Sequence, residues 1–105
     1  MTRETPLAEY ASAHASGHVT VDVRDPDEYT EGHVPGARSI PLSTLAEHVD
    51  ELTAEQPVYV ICASGNRSKA GAELLSRAGV DARSVVGGTA AWVSAGHPVD
   101  GGAQR

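Results

Sequence analysis

Apolar and polar positions along this chain switch between a period of two and a period near 3.6, which predicts alternating strands and helices. Val19-Thr20-Val21-Asp22-Val23 alternates and is β-branched, the signature of a half-buried strand. Val58-Tyr59-Val60-Ile61 is a continuous apolar run, as expected of a strand covered on both faces. Ala37–Ile40, ended by Pro41, and Arg83-Ser84-Val85-Val86 predict two further strands. Between these lie helical patterns. Leu7, Tyr10, Ala11 and His14 share one helical face. Asp25, Pro26 and Glu28 have the order of an N-cap, a first-turn proline and a capping-box partner. That helix must be brief, because Gly32-His33-Val34-Pro35-Gly36 reads as a turn. Leu45, Val49 and Leu52 mark another helical face, with Ser43 as its cap. Lys69 to Ala78 is predicted as a helix burying Ala70, Leu74, Leu75 and Ala78, with Gly79 as its C-terminal glycine. Thr89 to Ala95 forms a last helix, stopped by Gly96 and Pro98, and residues 100–105 read as a disordered tail.

Strands alternating with helices predict an α/β fold: a parallel sheet covered by helices on both faces. The 105 residues suffice for a single domain, with its core over about residues 19–99. Ligands in such folds bind beyond the carboxyl ends of the strands.

Charge and composition narrow the chemistry. Fourteen acidic against eight basic residues give a net charge of −6, which argues against nucleic acid or an anionic membrane as a partner. No apolar stretch reaches membrane-spanning length, and the N-terminus lacks the apolar core of a signal peptide. The expected location is cytoplasmic. A single cysteine excludes an internal disulfide and any dithiol exchange within the chain. His14, His18, His33, His48 and His97 read as scattered, with neither an HxxxH nor an HExxH spacing, so neither a metal site nor a cofactor is expected.

That cysteine, Cys62, ends the apolar run 58–61 and opens Cys62-Ala63-Ser64-Gly65-Asn66-Arg67-Ser68. The thiol would sit in a tight turn facing the first N–H groups of the next helix. Unpaired N–H groups, the helix dipole and the Arg67 guanidinium all favour an anion there, and the anion could be the thiolate itself. Gly65 and Asn66 tolerate the left-handed backbone such a loop needs, and Ser68 can cap the helix. A lone cysteine after a strand is more often an inert core residue, but a core residue needs none of these neighbours. Arg67 could serve the reaction or pair with a carboxylate such as Asp22 or Glu28. Asp22 and Arg24 are candidate supporting residues, for which an ion pair tying the first turn to the sheet is an equal reading. A side-chain bond to the backbone is the simpler role for His33, and packing on the sheet for Trp92.

Four stretches in order resemble the rhodanese family of sulfurtransferases. They are Val21-Asp22-Val23-Arg24-Asp25-Pro26-Asp27-Glu28-Tyr29, the turn Glu31-Gly32-His33-Val34-Pro35-Gly36-Ala37, the Cys62–Ser68 loop, and Gly87-Gly88-Thr89-Ala90-Ala91-Trp92. The resemblance, running from about Val19 to Val99, implies a single rhodanese-like domain with about five parallel strands. It also implies a sulfurtransferase that moves sulfane sulfur from a donor such as thiosulfate to a thiol or cyanide through a Cys62 persulfide. Arg67 would then orient the donor, and the loop of Ala63, Ser64, Gly65, Asn66 and Ser68 would bind the anion. The expected partners are a small sulfur donor and a thiol acceptor, with no cofactor.

Two rivals stand beside it. A dual-specificity phosphatase of the cell-division-cycle type is similar in fold, but its pattern puts five residues between cysteine and arginine, whereas four stand here. A persulfide carrier or binding module serving one protein partner is the other. Ala63 and Ser64 favour it, since thiosulfate-selective members often carry basic side chains there.

Overall fold

Val58, Tyr59, Val60 and Ile61 are all buried, so the strand they form needs cover on both faces and sets the architecture. The computed structural model describes residues 3–52 and 55–102. Its elements are β1 (Arg3–Thr5), α1 (Leu7–Ala15), β2 (Val19–Asp22), α2 (Pro26–Glu31), β3 (Arg38–Ser39), a 3-10 helix (Leu42–Leu52), β4 (Val58–Ile61), α3 (Asn66–Arg77), β5 (Ala82–Val85) and α4 (Gly88–Ser94). The sheet has five strands in the order β1-β5-β4-β2-β3, and every pairing is parallel.

Alternation along β4 divides the core in two. Val58, Val60 and Cys62 join Val21, Val23, Leu45, Ala72 and Leu75 on the face covered by α3 and the 3-10 helix. Tyr59 and Ile61 join Tyr10, Tyr29, Val85 and Trp92 on the face covered by α1, α2 and α4. The expected layers are therefore present. Gly79 ends α3 as expected, with φ at +93° and the Val80 N–H closing back on the Leu75 carbonyl at 3.0 Å.

Four expectations need correction. Strand β1 was not anticipated, because Arg3-Glu4-Thr5 is polar and only Thr5 is buried. It is an edge strand held by backbone pairing to β5. The Leu45–Leu52 face exists, but on a 3-10 helix that starts at Leu42 and so has Ser43 inside it rather than as a cap.

Helix α3 buries Ser68, Gly71, Ala72 and Leu75, whereas Ala70 and Ala78 are exposed and Leu74 is half-buried. It packs tightly against the core at Gly71, a position with no side chain to signal burial. A Cβ there would lie 3.2 Å from Val60 Cγ1 and 3.3 Å from Leu45 Cδ2.

The described part of the tail, residues 100–102, is ordered rather than disordered. Asp100 pairs antiparallel with His33 through two 2.8 Å bonds, and the Gly102 N–H reaches the Thr30 carbonyl at 2.9 Å. Residues 103–105 lie outside the described residues.

Gly71→Val should overpack this contact and lower stability by about 1–3 kcal/mol. Urea unfolding would read the loss as a lower midpoint. An unchanged midpoint would show that α3 can lift from β4 without penalty.

Candidate active site

Cys62 follows directly on β4, so the strand's alternation turns its side chain toward α3, and it is only 1% exposed. The chain must then reverse within three residues to begin α3 at Asn66. Gly65 makes the reversal with φ at +106°, and a Cβ on it would meet the Gly87 nitrogen at 3.2 Å. Before this left-handed step, the turn brings the Gly65 N–H to 3.1 Å from Cys62 Sγ. Asn66 does not share it. As the first residue of α3 it has ordinary backbone, and no residue other than glycine has positive φ among those described.

Ser68 is not the helix cap, a place held by Gly65. One turn into α3 and fully buried, its hydroxyl lies 3.4 Å from Cys62 Sγ, accepting from the thiol and, once the proton has left, donating to the thiolate. It also shares a 2.7 Å hydrogen bond with the buried hydroxyl of Ser84 on β5. Burial pushes the Cys62 thiol pKa up, yet the net direction is down. The Ser68 hydroxyl and the N–H groups of Ser68, Gly65 and Ser64 outweigh the burial. Arg67 is not among these principal causes, although the thiolate does help raise the arginine's own pKa. The amides and one hydroxyl favour the thiolate more than the guanidinium does.

Arg67 is engaged elsewhere. Its Nη1 and Nη2 donate to Glu28 Oε1 and Oε2 at 2.7 and 2.9 Å, a two-pronged pair joining α3 to α2. The guanidinium bonds hold the Glu28 carboxyl down at about 2, so the pair persists at any pH above that value. Of the two carboxylates that the sequence offers Arg67, Glu28 is the one used.

Asp22 and Arg24 form their own buried pair. Arg24 donates to Asp22 Oδ2 at 2.7 Å and to the Gly32 carbonyl at 2.9 Å, tying the end of β2 to the end of α2. Asp22 is level with Ile61 in the sheet, so this pair braces the strand end beside Cys62. Both residues have structural partners that account for them. His33 Nδ1 likewise bonds the Tyr29 carbonyl at 2.8 Å, and Trp92 packs in the core with its indole N–H on the Pro98 carbonyl.

Among the remaining loop residues, Ala63 is half-buried, while Ser64 and Asn66 are exposed. His14 and His18 do have an HxxxH spacing, which sequence reasoning passed over. Helix α1 ends at Ala15, and each imidazole bonds a carbonyl, of Pro35 and Ala13 respectively. No cluster of three metal-ligating side chains occurs among the described residues.

Two contributions were missed in the sequence. Ser84 occupies an inward-facing position of β5, level with Val60, and a polar residue at such a position is the signal that could have revealed it. The other is the physical use of Gly87-Gly88. The N–H groups of Thr89 and Ala90 bond the carbonyls of Cys62 and Ala63 at 2.8 and 3.0 Å. A Cβ on Gly88 would stand 2.5 Å from the Cys62 oxygen, so only glycine lets α4 approach this closely.

A family model for the rhodanese-like domain matches residues 7–95. The uncharacterised protein YqhL of Bacillus subtilis is 38% identical over 93 residues, covering 88% of this chain and 70% of that protein. A rhodanese-related protein of Thermoplasma volcanium has the same fold, with a TM-score of 0.86 and 35% identity, over 93% of this chain and 97% of that one. A Rhodopseudomonas palustris protein of unknown function, described as a possible tyrosine phosphatase, superimposes with a TM-score of 0.87 at 28% identity. That match covers 94% of this chain and 85% of the other.

The alkylation rate of Cys62 against pH should have its midpoint below that of an ordinary thiol. Ser68→Ala should move the midpoint up, and Ser84→Ala should move it up by less, since it acts through Ser68. A thiol held below its unfolded pKa adds stability that is present above the unfolded value and lost as pH falls through the folded one. Gly88→Ala should cost about 1–3 kcal/mol from the left-handed backbone alone, before its clash with the loop. An unshifted midpoint in both serine variants would remove the hydroxyl chain from the account.

Proposed function

The chain belongs to the rhodanese-like family, and we propose that it is a sulfurtransferase whose sulfur carrier is Cys62. The observation that carries this reading is the convergence of the Gly65 N–H and the Ser68 hydroxyl on the chain's only thiol, at the carboxyl end of β4. The thiolate attacks the outer sulfur of a donor. A sulfur–sulfur bond forms to Cys62, and the bond to the donor's remainder breaks, its electron pair leaving with sulfite or a thiolate. An acceptor thiolate then attacks the outer sulfur of the persulfide, and the electron pair returns to Cys62. The same amides that favour the thiolate stabilise the terminal sulfur anion of the persulfide. The partners proposed are a small sulfur donor and a thiol acceptor, free or on a protein. No helix among the described residues is long and apolar enough to cross a membrane, and we place the reaction in the cytoplasm.

The likeness to a protein described as a possible tyrosine phosphatase keeps phosphoryl transfer as the rival. Loop size argues against it. Only four residues separate Cys62 from Arg67, and the Gly65 N–H already closes to 3.1 Å on the sulfur. A phosphoryl group carries three equatorial oxygens and requires donors spread further apart. Arg67, which would hold those oxygens, is turned to Glu28.

Intact-mass spectrometry after exposure to sulfur donors should show a single added sulfur, removed by cyanide or a reductant. Cys62→Ser should take up none and should lose turnover by several orders of magnitude. Sulfur transfer retained in that variant, or aryl-phosphate hydrolysis as rapid as sulfur transfer in the wild type, would overturn the proposal.

A further inference from the structure

The described cations around the loop all have carboxylate partners. Arg24 is held by Asp22 at 2.7 Å, Arg67 by Glu28 at 2.7 Å, and Lys69 by Glu4 at 3.7 Å. Of these three, Arg67 is the one in the loop itself, and both ends of its guanidinium are occupied. Glu28 is firmly placed. It lies in the first turn of α2, where its Oε1 also accepts from the Asp25 N–H at 3.3 Å. Glu28 and Arg67 are each only about one-third exposed, so solvent screens their charges incompletely.

This arrangement separates two kinds of sulfur donor by charge. Thiosulfate is a dianion whose three oxygens need a cation outside the sulfur cradle. An alkyl persulfide carries its charge on the terminal sulfur that is transferred, and it has no oxygens to be held outside the cradle that the Gly65 N–H and the Ser68 hydroxyl form around Cys62 Sγ. To bind thiosulfate, Arg67 must give up a carboxylate or share its guanidinium with it, and the Glu28 charge repels the dianion more than a monoanion.

We infer that Glu28 is a specificity-determining residue: by neutralising Arg67 it turns the site away from small oxyanionic donors and toward alkyl persulfides. The inference rests on the sulfur-transfer reading and names the donor class for the same site. Glu28 acts through Arg67 and does not touch the reacting atoms.

The test compares wild type and Glu28→Gln on thiosulfate and on cysteine persulfide, with KM and kcat measured separately at low and high salt. Glutamine keeps an oxygen for the Asp25 N–H while removing the charge. In Glu28→Gln, KM for thiosulfate should fall about tenfold, with kcat little changed, from the loss of one unit charge near a dianion. KM for cysteine persulfide should move less than about twofold, and the advantage on thiosulfate should shrink as salt rises. Ala63→Arg gives the complementary measurement. It adds an unpaired cation at a half-buried loop position without altering α2, and should likewise lower KM for thiosulfate alone.

A thiosulfate KM that is unchanged or raised in Glu28→Gln, or changed equally for both donors, overturns the inference. If Glu28→Gln fails to fold, the outcome rests on Ala63→Arg, and an unchanged thiosulfate KM there overturns it too. A wild type that loads no sulfur on Cys62 from either donor overturns the sulfur-transfer reading itself, a distinct result.

Discussion

Two backbone hydrogen bonds from α4 determine which way the Cys62 loop faces. A trans peptide unit points its carbonyl and its N–H in opposite directions. With the Cys62 oxygen held by the Thr89 N–H and the Ala63 oxygen by the Ala90 N–H, the following amides of Ala63 and Ser64 are turned away from α4. The Ser64 N–H accordingly helps lower the thiol pKa, together with those of Gly65 and Ser68. Gly88 makes this possible by bringing the helix within reach of the two carbonyls, where a side chain would collide with them. The backbone of α4 thus helps to decide the sulfur's electrostatic environment by orienting the loop.

The same arrangement resolves the conflict between a chain charge of −6 and an anion-favouring site. Among the described residues, the side-chain cations near the loop are paired with Asp22, Glu28 and Glu4. What remains is a set of fixed amide dipoles and one hydroxyl, converging on a single atom in a buried place. Dipolar fields fall off faster with distance than that of a net charge, so this environment favours compact charge at the sulfur. It does little for charge spread over a larger anion.

Sequence legibility followed the kind of interaction involved. Strands β2 and β4 were legible because their apolar patterns are long enough to show a period. The Asp25–Glu28 start of α2 and the Gly79 end of α3 were legible because they are local, depending on residues within one turn. Cys62 and Gly65 were legible as a pair, since a thiol and a flexible residue at that spacing have few other uses. The remainder depended on partners distant in sequence. Strand β1 is polar and exists only because β5 offers it an edge. Gly71 is buried where α3 packs against Val60 and Leu45, and absence of a side chain hides it from any hydrophobic pattern. Ser84 gains its role from Ser68, sixteen residues earlier. The Asp100–His33 bridge orders a segment whose composition alone reads as disordered. Arg67 was singled out as a cation beside the thiol, but its pairing with Glu28 rests on an interaction across thirty-nine residues.

Burial of the sulfur fits the proposed relay in a further way. Cys62 is 1% exposed, so the thiolate cannot meet a donor that is bulky at its reacting atom. A sulfane sulfur is a slim terminal atom, and it can enter while the rest of the donor stays outside. Once transferred, it lies about 2 Å beyond Cys62 Sγ, the length of a sulfur–sulfur bond. The persulfide therefore presents an electrophile further from the buried position than the thiolate from which it formed. A site that hides its nucleophile and extends its product is suited to passing single sulfur atoms between thiols. The pairing of Arg67 with Glu28 fits the same proposal, because it occupies the loop guanidinium that could otherwise hold an oxyanion over the entrance.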